Sequence, residues 1–262
     1  MLHDVLHEIR LFCIALQFLT RLPVPAWVGY RDDWMHASAR HYPAVGLVVG
    51  GAGAAVLWAG AHLWPAAVAV GLSMVATVWL TGAFHEDGLA DTCDALGGSV
   101  SRERALAIMK DSRLGSYGTV GLLAVLGLKA AVLLGLALRN FELVLIALPL
   151  AHAWSRGVPV LLLRWLPYAG DAEHAKAKPM AQQASDATLW MVAAWTLIVG
   201  AAAAWCGLSL ERLAVAAAAA LVVALWMARW LRRRLGGYTG DTLGAAQQGA
   251  ELVVYLALLA QP

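Results

Sequence analysis

Apolar runs long enough to cross a bilayer recur along the chain, at roughly residues 43–63, 65–84, 118–138, 141–163, 188–208 and 213–231. A helix rises about 1.5 Å per residue, so about 20 such residues span the hydrocarbon core. Backbone groups find no water there, and a run of this length folds only as a helix packed among others. The expected fold class is therefore all-α: a polytopic integral membrane helix bundle with about six to seven transmembrane helices. The seventh would be the short tail ELVVYLALLA, residues 251–260. Composition agrees, with 61% of residues hydrophobic and only 14% charged, against about half and about a quarter in soluble chains. Small residues crowd several runs, as in VGLVVGGAGAAV (45–56) and VAAAAALVVA (215–224), and such surfaces let helices approach closely in lipid.

Basic residues alternate between the ends of these runs. Arg10, Arg21, Arg31 and Arg40 precede the first; Arg102, Arg104, Lys110 and Arg113 lie between the second and third. Arg164, Lys176 and Lys178 follow the fourth, and Arg232, Arg233 and Arg234 the sixth. The opposite connections carry only Arg139 and Arg212. The positive-inside rule then puts every long polar connection on the cytoplasmic side. Residues 1–40, with Asp4 and Glu8 in a short apolar stretch, read as an amphipathic interfacial segment rather than a cleaved leader. Cys13, Cys93 and Cys206 form no CxxC pair, which argues against a disulfide framework or a thiolate metal site. A net charge of +2 gives no reason to expect nucleic acid. With no linker or low-complexity tract, residues 1–262 read as one domain, with an acidic region at 85–117 and a glycine-rich loop at 232–250.

The acidic region opens with FHEDGLADTCDALGG (84–98), four carboxylates in nine positions. Asp87, Asp91 and Asp94 stand at i, i+4 and i+7, one face of a helix, within reach of a common ion. Glu86 lies about a quarter turn away and is the fourth candidate ligand. Such a group repels itself unless a divalent cation or solvent neutralises it. Its hard oxygens suit Mg²⁺, Mn²⁺ or Ca²⁺ rather than zinc, and Mg²⁺ leaves positions for water and substrate phosphates. The plainer alternative is a solvated polar helix at a membrane edge. A second helix follows in SRERALAIMKDSRLGSYG (101–118), with Ser101 as N-cap. Lys110, Asp111 and Arg113 close it, and the two cations there could clamp phosphoryl oxygens or simply anchor the membrane edge.

Lys129, His152, Ser155 and Arg156 fall inside apolar runs, where an ionisable group is by default a functional hypothesis. Arg156, near mid-span, reads as functional. Lys129 either serves the site or pairs with a carboxylate, and His152 reads as a hydrogen-bonded packing residue. In GGYTGDTLGAAQQGAE (236–251), glycines such as Gly237 and Gly240 allow backbone N–H groups to approach an anion. Asp241 there is a second carboxylate source or a helix cap.

In this order the segments resemble the cobalamin-5'-phosphate synthase family. FLTRLPVP (18–25) and YPAVGLVVG (42–50) are similar to its N-terminal signatures, and HEDGLADTCDALGG (85–98) to its pattern H-x-D-G-x-A-D-x-x-D. RALAIMKDSRLGSYG (104–118), SRG (155–157) and GGYTGDTLGA (236–245) fall where the family has its own segments. The resemblance implies a multi-pass, Mg²⁺-dependent enzyme of the bacterial inner membrane, its site facing the cytoplasm. Its substrates would be adenosylcobinamide-GDP and α-ribazole or α-ribazole 5'-phosphate, with GMP released. On this basis Asp87, Asp91 and Asp94 are expected as metal and catalytic residues, and His85 as a base or a substrate hydrogen-bond partner. Arg21, Lys110, Asp111, Arg113, Arg156, Gly237, Gly240 and Asp241 are the expected substrate contacts. Two departures stand out. Glu86 occupies the pattern's variable position, and PYAGDAEHA (167–175) has Gly170 where the family often has Tyr-Ala-Arg, which loosens any role for Tyr168.

Two rival readings remain at this stage. A CDP-alcohol phosphatidyltransferase would want Ala-Arg after Asp-Gly-x-x, where this chain has Ala90-Asp91. A corrinoid or cation transporter would place its polar site near the bilayer midplane, where Lys129 and Arg156 lie. Self-association into a homo-oligomer is left open.

Overall fold

The computed structural model describes residues 2–170 and 184–260; Lys176, Lys178 and the end of the 167–175 segment lie outside them. The chain begins with α1 (Leu2–Leu19), α2 (Asp32–Ser38), α3 (Tyr42–Ala61) and α4 (Ala66–Thr81). Then come α5 (Phe84–Leu96), α6 (Arg102–Met109), α7 (Ser116–Arg139) and α8 (Phe141–Trp165). The last three are α9 (Asp186–Trp205), α10 (Leu210–Arg234) and α11 (Gly240–Leu259). No strand occurs among the described residues. The α2–α3 unit, α7, α8, α9 and α10 are long and apolar enough to cross a membrane. The bent pair α4–α5 counts as a sixth when taken as one span, and α4 carries its apolar length. The expected seventh run is the C-terminal half of α11, which packs among α5, α7, α8 and α10.

Small residues set the closest helix approaches. Gly46 and Gly50 of α3 lie on the backbone of α8: a Cβ at Gly46 would overlap the His152 carbonyl, and one at Gly50 would sit 2.5 Å from the Leu148 carbonyl oxygen. Gly53, one turn on, meets α4 instead, where the Ser73 hydroxyl donates to the Gly53 carbonyl at 2.8 Å. In lipid no hydrophobic force separates helix contact from lipid contact, so dispersion over such close surfaces and a few buried hydrogen bonds hold the helices together.

The bend that positions the functional end lies between α4 and α5, whose axes differ by 88°. Two successive residues there are left-handed, Gly82 (φ 69°) and Ala83 (φ 59°). For alanine that conformation costs about 1–2 kcal/mol. It turns α5, which carries the four carboxylates, away from the apolar course of α4. The chain after α1 holds the bend: the Arg21 N–H donates to the Leu80 carbonyl at 2.8 Å, and the Arg21 side chain lies across Gly82.

Arginines close the same end of the bundle. Arg102 donates to the carbonyls of Leu235 (2.7 Å) and Ala169 (3.0 Å), and Arg234 to those of Leu96 (3.2 Å) and Gly98 (2.8 Å). A short parallel pairing of Tyr168 with Tyr238 ties the end of α8 to the start of α11. Its bonds run from the Tyr238 N–H to the Pro167 carbonyl and from the Ala169 N–H to the Tyr238 carbonyl.

Candidate functional site

The acidic face is built where α5 crosses α11. Gly88 of α5 rests on the backbone of Asp241, and a Cβ there would be 2.7 Å from the Asp241 carbonyl oxygen. Gly244 of α11 rests in turn on the backbone of His85, with 3.2 Å from its would-be Cβ to the His85 carbonyl oxygen. With no side chain between the two backbones, Asp241 comes into the electrostatic range of Asp87, Asp91 and Asp94. Burial first, then the charges of Asp241, Asp87 and Asp94, push the Asp91 carboxyl up to about 6. Asp87 is exposed, and Asp91 and Asp241 are half-buried. Asp87 and Asp91 thus lie within electrostatic range of each other on α5, and the crossing brings Asp241, the expected second carboxylate source, to them from about 150 residues away.

The face foreseen for three aspartates is divided. Asp94 accepts the N–H of Gly115 at 2.7 Å and of Gly118 at 2.8 Å, one on each carboxylate oxygen. These are orphan donors at the start of α7, so Asp94 caps that helix from another element. A Cβ at Gly115 or Gly118 would overlap the same carboxylate. Glu86 parts from the group altogether. The helix turns about 100° per residue, and that step takes Glu86 from the exposed face into the interior, where Gln248 Nε2 donates to its Oε1 at 3.0 Å. Its second oxygen is buried without a partner.

Glu86 belongs there to a buried polar network spread over four helices. Lys129 Nζ of α7 donates to Gln248 Oε1 at 2.8 Å and pairs with Glu251 Oε1 at 3.0 Å. Gln247 Nε2 reaches Glu251 Oε2 and the Ser155 hydroxyl, both at 2.9 Å. Arg156 is fully enclosed, with Nη1 3.0 Å from His152 Nδ1 and 2.9 Å from the His152 carbonyl oxygen. The structure therefore places Arg156 inside the bundle and not on the acidic face, because the pitch of α8 turns it toward α11. Lys129 takes the carboxylate-paired alternative. His152 is hydrogen-bonded as expected, and His85 is buried behind the acidic face, its backbone against Gly244. Gln247, Gln248 and Glu251 had no role in the sequence reading. Their signal was present as a polar set at i, i+1 and i+4 within an apolar tail.

The remaining expected contacts separate likewise. Lys110 and Arg113 are exposed on the connection between α6 and α7. Asp111 holds Arg113 through Oδ2 to Nη2 at 2.6 Å and Oδ1 to Nε at 3.0 Å. The Arg113 side chain and backbone donors draw the Asp111 carboxyl down to about 2. Gly240, the first residue of α11, has open space around its α-carbon, as an anion-facing position requires. Gly237 does not: a side chain there would overlap the Pro167 carbonyl, so its glycine is explained by the Tyr168–Tyr238 pairing. Arg21 bears on the α4–α5 bend rather than on the carboxylates.

Among the described residues no three His, Cys, Asp or Glu side chains converge to hold one ion. The hard, mutually repelling oxygens of Asp87, Asp91 and Asp241 fit a divalent cation that takes one or two carboxylates and completes its shell from water or phosphate. They do not form an all-protein cage.

Comparison with known proteins bears on what such an arrangement serves. Residues 11–259 match the family model described as cobalamin-5-phosphate synthase. A protein of Leptothrix cholodnii named adenosylcobinamide-GDP ribazoletransferase is 67% identical over 256 residues, covering 98% of this chain and 97% of its own. Proteins with the same name from Shewanella amazonensis and a Polaromonas species are 44% and 43% identical, over 96% and 95% of this chain and 95% and 96% of theirs. No solved structure matches the chain.

Proposed function

The chain belongs to the cobalamin-5-phosphate synthase family, and from that premise we propose that it joins adenosylcobinamide-GDP to α-ribazole or its 5'-phosphate, releasing GMP in the last stage of adenosylcobalamin biosynthesis. The observation that carries this reading is the acidic face at the α5–α11 crossing, where a carboxylate pair meets a third carboxylate from a distant helix. A ribose hydroxyl attacks the phosphorus nearer cobinamide. Its bond to the bridging oxygen breaks, and GMP departs with that oxygen and the other phosphate. The hydroxyl proton passes to a carboxylate oxygen of the acidic face.

One or two of the carboxylates Asp87, Asp91 and Asp241 would hold the cation, which we take to be Mg²⁺; when bound it would supply charge neutralisation to the diphosphate oxygens. Lys110 and Arg113 lie on the connection that follows α6, at the same end of the bundle. The Arg113 side chain is 87% exposed and paired with Asp111, so phosphate can replace that carboxylate as its partner at little cost. Asp94 contributes by fixing the start of α7, and with it the connection that bears both cations.

Sidedness follows from charge. The acidic face shares its end of the bundle with Arg102, Arg104, Arg164, Arg232 and Arg233, while the far end among the described residues has Arg139 and Arg212. That asymmetry supports a cytoplasm-facing site in a multi-pass protein of the bacterial inner membrane. The test is release of GMP from adenosylcobinamide-GDP by purified protein in detergent, with and without chelator. Asp87→Asn and Asp91→Asn should each remain folded and lose turnover together with its metal dependence. Near-normal, metal-dependent turnover in both would refute the assignment.

A further inference from the structure

At the crossing that builds the acidic face, Gly88 and Gly244 bring the backbones of α5 and α11 into contact. At these two positions no side chain sets how far one helix slides along the other. A slide of one residue is about 1.5 Å. Mg²⁺ holds its oxygens at about 2.0–2.1 Å in near-ideal octahedral geometry, so a slide of that size removes Asp241 from any ion shared with α5.

Something must fix the register, and on α11 the residues at steps of three and four from Asp241 are Gly244, Gln248 and Glu251. Gln248 makes a bond to α5 and another to α7: its Nε2 donates to Glu86 Oε1 at 3.0 Å, and its Oε1 accepts from Lys129 Nζ at 2.8 Å. Glu251 then pairs with Lys129 at 3.0 Å. Hydrogen bonds of this length weaken within a few tenths of an ångström, far less than one helical step. The set brings together two formal positive charges, Lys129 and Arg156, and two negative, Glu86 and Glu251. Apolar residues of similar volume commonly match or exceed the stability of such buried ions, and fixing register is their best-attested use.

We propose that Gln248, held by Glu86 and Lys129, is a positioning residue that sets the register of α11 on α5 and so keeps Asp241 opposite Asp87 and Asp91. The proposal rests on the reading of the acidic face as a divalent-cation site. It also gives Glu86 a different role from ligation: it anchors the register from within the bundle.

The test is direct binding of Mn²⁺, in place of Mg²⁺, to the purified full chain in detergent, titrated by electron paramagnetic resonance. Thermal unfolding of each variant checks that it is folded. Gln248→Leu should weaken Mn²⁺ about 10- to 100-fold, the range for residues that orient ligands without touching the metal. Gln248→Asn, which keeps an amide but is one methylene too short to reach both partners, should weaken it likewise and covers the case in which the leucine variant fails to fold. Glu86→Gln keeps a carbonyl oxygen that accepts from Gln248 Nε2 and should leave Mn²⁺ affinity near normal, whereas Glu86→Leu removes that acceptor and should weaken Mn²⁺ as Gln248→Leu does. A folded Gln248→Asn protein with unchanged Mn²⁺ affinity overturns the proposal. Loss of Mn²⁺ binding in a folded Glu86→Gln protein overturns it in favour of Glu86 as a ligand. Absence of Mn²⁺ binding in the unmodified protein overturns the cation site itself, a result distinct from both.

Discussion

Gly88→Ala isolates the geometry of the acidic face from its chemistry, since it adds one methyl group and removes no polar atom. That methyl would sit 2.7 Å from the Asp241 carbonyl oxygen and 3.1 Å from its α-carbon, with no flexible side chain to swing away. Ordinary contact begins near 3.5 Å, so α11 must retreat by roughly 0.5–1 Å. The strain of such overpacking is about 1–3 kcal/mol, partly offset by the roughly 1 kcal/mol that alanine gains over glycine within a helix. The protein should therefore fold with a modestly lowered melting temperature. Its turnover should fall far more, about 100-fold, because a displacement near 1 Å of groups that must converge on a reacting centre commonly costs that much. The assay is GMP release at saturating substrate and Mg²⁺ in detergent, with thermal unfolding alongside. Gly71→Ala on α4 is the control: nothing lies within 4 Å of its would-be Cβ, and it should leave turnover unchanged. If Gly88→Ala retains more than half the normal rate while Gly71→Ala behaves as expected, the spacing of α5 and α11 does not govern the site.

Two further outcomes follow from the carboxylates. Asp94→Ala leaves the N–H groups of Gly115 and Gly118 without their acceptor and should lower stability by about 0.5–2 kcal/mol, the usual range for a lost cap. In the same variant Mn²⁺ affinity should change less than in Asp87→Asn, which a parallel titration checks. For Asp91 the folded value near 6 lies above the ordinary carboxylate value of 3.8, so over that window the metal-free folded state holds a proton that the unfolded chain has lost. Stability of the metal-free protein should thus decline as pH rises from about 4 to 6. Mg²⁺ competes with that proton, so its stabilising effect on the melting temperature should grow across the same window and vanish in Asp91→Asn.

The helices were legible in the sequence because apolar length alone dictates them: 118–138 and 141–163 correspond to α7 and α8 within a few residues at each end. Asp87 and Asp91 were legible because their spacing is a local property of one helix. Asp94 looked equivalent by the same spacing. Its true partners, Gly115 and Gly118, lie more than 20 residues away across a turn that periodicity does not encode. Arg156 read as a phosphate contact because charge in a membrane span implies function, but periodicity does not say which neighbour the helix turns it toward. Gln247, Gln248 and Glu251 were overlooked because two amides and a lone carboxylate match no ligand pattern. They gain meaning only once Lys129 is seen 2.8 Å from Gln248.

Two tight crossings in the bundle, α3 on α8 at Gly46 and Gly50 and α5 on α11 at Gly88, share a property with consequences for how such a protein can change over time. On each, a glycine faces backbone atoms of the opposing helix. Glycine has no smaller replacement, and a carbonyl belongs to every residue alike. An enlarged side chain elsewhere in a core can be accommodated by a second mutation that trims its neighbour. Here no second mutation exists, because the neighbour offers nothing to trim. A larger residue at either crossing is therefore accommodated only by moving a whole helix, a demand that the lipid-facing surfaces do not make.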